Sequence, residues 1–157
     1  MRRADRAMSE SETAALLRQS PVGRLGLVLP DGRPYVVPVN FVYRQGAIYI
    51  HSSAEGLKAQ AASNNPRACF EVDEPGAVLP ADSACEVSFT YRSAIAFGTI
   101  QTVDDPAEKV AALEAFASKY APALSGTVAP SAAAGTAVLK LVVERVTGKK
   151  NSAERGR

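Results

Sequence analysis

The run Tyr49-Ile50-His51-Ser52-Ser53-Ala54-Glu55-Gly56-Leu57-Lys58 gathers a histidine, two serines and a lysine into one short stretch. It reads as the end of a strand, a hydroxyl-rich turn, and the first turn of a helix. A helix N-terminus presents unpaired backbone N–H groups and the positive end of a dipole, which together attract anions such as phosphate. Ser52 and Ser53 at the cap and Lys58 one turn in would add donors and a full positive charge. The chemistry implied is the grip on a phosphate-bearing cofactor. Lys58 could instead be a solvated helix lysine, yet cations are favoured at the other end of a helix, and a bound anion would resolve that conflict. His51 is the only histidine of the chain. It could be structural, it could contact cofactor or substrate, or it could be an axial ligand to haem.

Two further places invite a ligand. Pro38 interrupts the apolar run Val37-Pro38-Val39-Asn40. Proline cannot donate to a ladder, so it belongs on an edge strand or at a break in pairing. It could simply blunt an edge against aggregation. Alternatively this run borders a gap in a barrel, where free backbone groups and the Asn40 amide would bond the polar edge of a flat ring. Arg92 and Ser93 follow Tyr91 at an apparent break between two strands, with Arg92 either exposed or aimed at a ligand.

The elements that must position these residues follow from local signals. Ser9-Glu10-Ser11-Glu12 is a capping-box pattern, opening a helix that ends near Ser20-Pro21. Val22 to Leu29 reads as a strand with Gly23, Leu25, Leu27 and Leu29 on one face. Pro34 to Tyr43 follows as a second strand and Ala47 to His51 as a third. The helix after Ser52-Ser53 must stop by Asn64-Asn65-Pro66. Arg67 to Asp73 is a strand, Glu74 to Ala84 a loop, and alternation returns in Cys85, Val87, Phe89 and Tyr91. Ser93 to Val103 makes another strand, with a bulge or close approach expected at Gly98. Asp105-Pro106 with Glu108 opens a helix whose apolar stripe is Val110, Leu113, Ala117 and Tyr120, broadened by Phe116. Ala121 to Thr136 is expected to be a flexible loop, a lid among the options. Val138 to Val146 is the last strand. Short turns between neighbouring strands imply an antiparallel sheet curling into a barrel.

Composition bounds the remaining choices. The 157 residues suit one domain, with 46% hydrophobic and 22% charged residues. No apolar run approaches the roughly 20 residues of a membrane span, and no signal peptide is evident. A cytoplasmic protein with no membrane partner is expected. The net charge is +2, with the excess in residues 1–6 and 147–157 and not on the body. That distribution argues against a nucleic-acid partner. Cys69 and Cys85, the only cysteines, fall in strand-like runs and cannot form a metal site of usual spacing. They are expected to be unpaired, buried small hydrophobes.

Taken together these residues resemble the pyridoxamine-phosphate-oxidase-like superfamily of flavin-binding split barrels, in particular its nitroimidazole-resistance (Nim-type) branch. The resemblance rests on Arg2-Arg3-Ala4-Asp5-Arg6, Tyr35-Val36-Val37-Pro38-Val39-Asn40-Phe41, Ile48-Tyr49-Ile50-His51-Ser52 and Gly56-Leu57-Lys58. It continues through Asn65-Pro66-Arg67-Ala68-Cys69-Phe70-Glu71-Val72, Ser93 to Gly98, and Val146-Thr147-Gly148-Lys149. It implies a mainly β (α+β) fold, an FMN-binding split β-barrel with flanking helices over residues 1–148 and a disordered basic tail at 149–157. It also implies a homodimer with FMN near the interface. On that analogy Ser53 and Lys58 grip the phosphate, helped by the backbone around Gly56, and Val37, Pro38, Val39 and Asn40 lie along the isoalloxazine. Ile50, His51 and Ser52 sit close to the ring or ribityl chain, and Arg92 and Ser93 contribute near the phosphate or across the dimer. The implied activity is oxidoreduction of a small electron-poor substrate, a nitroheterocycle or quinone, with His51 the candidate proton donor. The electron donor would bind transiently, since no Gly-rich dinucleotide fingerprint is present. Relatives in the superfamily also bind haem or a deazaflavin coenzyme, so a non-catalytic carrier of the same fold is the alternative. No tryptophan, second histidine or Arg-x-His pattern is present, which disfavours oxidation of vitamin B6.

Overall fold

A computed structural model describes residues 3–152. Its helices are α1 (Glu10–Gln19), α2 (Leu57–Asn64), α3 (Pro106–Tyr120) and the short α4 (Pro130–Ala134). Its strands are β1 (Gly23–Val28), β2 (Pro34–Val39), β3 (Val42–Arg44), β4 (Ala47–Ser52), β5 (Arg67–Leu79), β6 (Ser88–Thr102) and β7 (Ala137–Asn151). All seven join one antiparallel sheet in the order β2-β1-β5-β6-β7-β4-β3.

That order explains the barrel. β2 and β3 lie at opposite edges of the sheet, yet only Asn40 and Phe41 separate them in the chain. Laid flat, six inter-strand steps of ~4.8 Å would hold the edges about 29 Å apart. Three Cα steps reach at most about 11 Å. The sheet must therefore curl until its edges meet, closed by covalent chain and not by a ladder. This is a split barrel with flanking helices.

Two cores hold it. Leu25, Phe41, Ile48, Ile50, Phe70, Ile100 and Leu141 fill the barrel together with Leu16 and Leu17 of α1. A second cluster, Val42, Tyr49, Val138, Ala112 and Phe116, packs α3 against the opposite face of β3, β4 and β7. Period-two alternation along β4 feeds both, sending Ile48 and Ile50 inward and Ala47 and Tyr49 toward α3. Local chemistry starts the helices as the sequence implies. The Ser9 hydroxyl accepts from Glu12 N–H (3.1 Å) while the Glu12 carboxylate accepts from Ser9 N–H (2.8 Å). Asp105 accepts from Glu108 N–H (3.0 Å) with Pro106 in the first turn of α3.

Gly98 sits where the β6–β7 register shifts, and a Cβ there would lie 1.9 Å from the Val142 carbonyl oxygen. The expected bulge and close approach are both present. Gly148 likewise lets α1 settle on β7, since a Cβ there would lie 2.0 Å from Thr13 Oγ1. The N-terminal segment docks beside it through a bridge from Ala7 to Lys149 and through Met8 N–H to Gly148 C=O (3.0 Å).

Several boundaries differ from the sequence reading, each for a tertiary reason. Pro34 to Tyr43 is two strands, because its halves pair with opposite edges of the sheet. Residues 88–102 form one strand, so Arg92 and Ser93 lie within β6 and not between strands. β5 continues through the expected loop to Leu79 by pairing with β6, with its irregularity between Pro75 and Val78. Cys85 falls in the exposed turn after it, and both cysteines are free. The 121–136 stretch contains a 3-10 turn at Pro122–Leu124 and α4, and Glu114 accepts from the N–H groups of Gly126 (2.6 Å) and Val128 (2.7 Å). In α3 the buried positions are Ala112 and Phe116, one residue round from part of the expected stripe. β7 runs to Asn151, so Lys149 and Lys150 of the expected tail are paired with β6. Arg2 and residues 153–157 lie outside the described residues.

Candidate functional site

The serine-lysine turn is built differently from the sequence reading, and the difference favours an anion. Ser52 is the last residue of β4, Ser53 is exposed in the turn, and α2 starts only at Leu57. Its N-cap is Gly56 at φ 131°, a backbone conformation that side chains rarely adopt. No side chain caps α2. The first backbone N–H groups of a helix have no intrahelical partner, so these point outward without a local acceptor. The Ser53 hydroxyl oxygen accepts from Glu55 N–H (3.2 Å), which leaves its own proton free to donate outward. Lys58 is the second residue of α2, half-buried, and takes part in no ion pair among the described residues.

A pocket of about 260 Å³ collects these groups: Tyr35, Ser52, Ser53, Gly56 and Lys58 line it, with Glu55 the one acid on its rim. Tyr35 comes from the edge strand β2, so closure of the sheet brings β2 alongside the α2 N-terminus. The donor set suits a phosphate. β2, with one side unpaired, also offers a row of backbone N–H and C=O groups to the polar edge of a planar ring.

The other predicted residues spread around this pocket without lining it. Val39 is buried and Val37 half-buried on β2, while Pro38 is exposed opposite Arg24 of β1. Both sequence readings of Pro38 describe its place, since it stands on an edge strand and beside the break in the barrel. Asn40 is exposed at that break, its amide 3.4 Å from Pro21 C=O. Ile50 is fully buried in the barrel core. His51 is exposed on the strand face opposite Ile50 and Ser52, its ring edge-on to Phe116 with centroids 4.9 Å apart. The structure therefore does not bring His51 to Ser52 and Lys58, as alternation along β4 requires. Arg92 is exposed on β6 and its guanidinium pairs with Glu74 across the β5–β6 ladder (Nε to Oε2 3.0 Å), with half-buried Ser93 beside it. Neither approaches the pocket within one chain.

The break at Asn40-Phe41 is held by residues the sequence reading placed only in a packing stripe or left aside. The Tyr120 hydroxyl accepts from Phe41 N–H (3.0 Å) and has its single proton to give to Phe41 C=O (2.7 Å) or Pro21 C=O (2.9 Å). Lys119 Nζ donates to Ser20 C=O (2.7 Å) and Phe41 C=O (3.0 Å) and lies 4.1 Å from the Phe41 ring centroid. Burial without a carboxylate partner pushes the Lys119 ammonium down to about 8. No local motif announces this anchor, because its acceptors lie 78 and 99 residues away in the chain.

Among the described residues no group of three His, Cys, Asp or Glu side chains is placed to hold a metal ion, and no helix is long and apolar enough to cross a membrane.

Known proteins share this architecture. A candidate 5-nitroimidazole antibiotic resistance protein from Bacteroides thetaiotaomicron is 26% identical over 92% of this chain and 86% of its own, with a TM-score of 0.78. An FAD and heme binding protein from Mycobacterium smegmatis is 27% identical over 92% of this chain and 72% of its own, also at 0.78. An FAD-binding protein from Mesorhizobium loti is 27% identical over 94% of this chain and 98% of its own, at 0.69. Among curated proteins none matches. The family model described as pyridoxamine 5'-phosphate oxidase matches residues 9–150, nearly the whole barrel, and the chain belongs to that family.

Proposed function

We propose that this chain is a homodimeric FMN-binding oxidoreductase that reduces a small electron-poor molecule such as a nitroheterocycle or quinone. The observation that carries the reading is the pocket where Ser52, Ser53 and Lys58 face the uncapped start of α2 beside the edge strand β2. When bound, the flavin would supply the electron transfer. The chain's own residues would do the holding. Lys58, the Ser53 hydroxyl and the first amides of α2 bind the phosphate. The free side of β2 from Val37 to Val39, with the Asn40 amide, orients the ring. His51, which lies on the face of β4 away from the phosphate-binding groups, is the candidate proton donor to the ring, with solvent as the other source.

The dimer has its own support. Gly26, Val36, Cys69 and Phe97 line a hollow of about 340 Å³ on the outer face of β1, β2, β5 and β6. Val36, Ile95 and Phe97 are exposed on that face. Tyr35 borders both this hollow and the serine-lysine pocket, so a second copy seated here would lie next to the cofactor. Arg92 and Ser93 of the second copy could then approach the flavin.

The test is an absorption spectrum of the purified protein followed by FMN titration of the wild type and Lys58→Ala. Yellow protein, or quenched flavin fluorescence with an affinity at least tenfold weaker in Lys58→Ala, is expected. Unchanged affinity in that variant would remove Lys58 from the site. FAD is titrated beside FMN, since the Mycobacterium smegmatis and Mesorhizobium loti proteins are described as binding FAD. The same Mycobacterium smegmatis protein is also described as binding heme, which favours one second reading: a non-catalytic carrier with His51 as iron ligand. A Soret band that vanishes in His51→Ala would establish it. Binding of neither group would turn the search to the deazaflavin coenzyme.

A further inference from the structure

A second collection of positive charge lies away from the serine-lysine pocket, between α1, β3 and α3. Arg18, Tyr43, Arg44, Ser118 and Lys119 line a hollow of about 390 Å³ that no carboxylate lines. Arg3, Arg24, Arg33, Arg67, Arg92, Lys140 and Lys150 each pair with an Asp or Glu. Arg18, Arg44 and Lys119 join no ion pair among the described residues, and unlike other cations without one, such as Lys58 and Lys109, these three share a single hollow. Another hollow, about 720 Å³, is mixed in sign, with Asp5 and Glu86 beside Arg3, Arg6 and Lys150.

We propose that the Arg18–Arg44–Lys119 hollow binds an oxyanion of the phosphate class, free or carried on a small molecule. Arg44 and Lys119 are both half-buried; Arg44 feels Glu108 only through space, and Lys119 has no acid beside it, so part of the cost of burying their charge is left uncompensated. Each is anchored by backbone carbonyls that use only part of its donor capacity. Arg44 spends one amino group on Ala111 C=O (2.8 Å), and Lys119 spends two of its three protons on Ser20 and Phe41 C=O. Arg18 lies with its guanidinium carbon 5.9 Å from the Tyr43 ring centroid, held by the ring and not by an acid. The side chains are thus positioned while N–H donors stay available, the arrangement an oxyanion requires. The hollow exceeds a single phosphate, and the Tyr43 ring forms a wall for whatever carries one.

The test uses ¹⁵N-labelled full-length protein carrying Lys58→Ala, so that the serine-lysine pocket does not contribute. It is titrated with inorganic phosphate and separately with AMP against chloride at matched ionic strength. Saturable amide shifts at Tyr43, Arg44, Ser118 and Lys119 are expected, with roughly tenfold weaker binding after adding the exposed substitution Arg18→Gln. Tighter binding of AMP would assign a phosphorylated small molecule, and equal binding a free oxyanion. Absence of shifts at these residues with both probes, or identical affinity in Arg18→Gln, would overturn the proposal. Because FMN binding by the wild type is measured separately, its failure leaves this result untouched.

Discussion

The two turns that flank β4's end of the barrel treat their polar groups in opposite ways. At the β2–β3 corner, Phe41 N–H and C=O, Ser20 C=O and Pro21 C=O all find partners in Lys119 or Tyr120. At the β4–α2 turn, the helix start has no side-chain cap, and Lys58 has no acid among the described residues. The first region spends its hydrogen bonds on holding the split in the barrel. The second leaves donors facing solvent, and unspent donors are what a ligand can use. Stability should therefore be concentrated at the corner and ligand affinity at the turn.

The sharpest way to break this division is Phe41→Ala. Phe41 is fully buried, edge-on to Phe70 with centroids 4.7 Å apart, and its removal should cost about 3–5 kcal/mol in denaturant unfolding. A loss near zero would mean the corner does not hold the barrel. Tyr120→Phe is a milder probe of the same place, since it keeps the ring and removes only the hydroxyl. Leaving Phe41 N–H and C=O short of that partner should cost about 1–3 kcal/mol, measured the same way.

Lys119 yields a prediction with a defined sign. Its folded value near 8 lies below the ordinary 10.5, so between those two pH values the unfolded chain binds more protons than the folded one. Stability should accordingly rise from about pH 8 to 10.5 in the wild type relative to Lys119→Met. Unfolding curves for both proteins at three pH values check it, and parallel pH dependence would contradict the assignment. The smallest stability effect belongs to the turn. Lys58→Ala should change unfolding free energy by less than about 0.5 kcal/mol even as it weakens FMN binding. A large destabilisation there would show that the turn, too, is built for the fold.

Much of the architecture was legible because its signals are local. The Ser9–Glu12 and Asp105–Glu108 caps need only a few neighbouring residues, and Gly98 marked its own bulge. Alternation along β4 is equally local. Carrying that strand one residue further, to Ser52, would have separated His51 from the serine-lysine pocket on sequence grounds alone. The split of Pro34 to Tyr43 was not legible, since Asn40 alone, with no glycine beside it, is a weak turn signal inside an apolar run, and pairing with opposite sheet edges is what ends the strand. The polar pair Arg92-Ser93 misled in the other direction, because continuous pairing with β5 and β7 overrides a local dip in hydropathy.

What the sequence determined by itself is most of the elements, the caps of α1 and α3, the apolar alternation that builds two cores, and a lysine near the start of the helix after Ser52-Ser53. These depend on residues a few positions apart, where steric and capping preferences act directly. Only the tertiary structure decided that β2 and β3 would be opposite edges of one sheet, that Tyr35 would meet Lys58, and that Lys119 and Tyr120 would hold the corner between them. Those contacts join residues far apart in the chain, and their partners are backbone groups that every residue carries. No side-chain pattern can specify such partners until the barrel has closed.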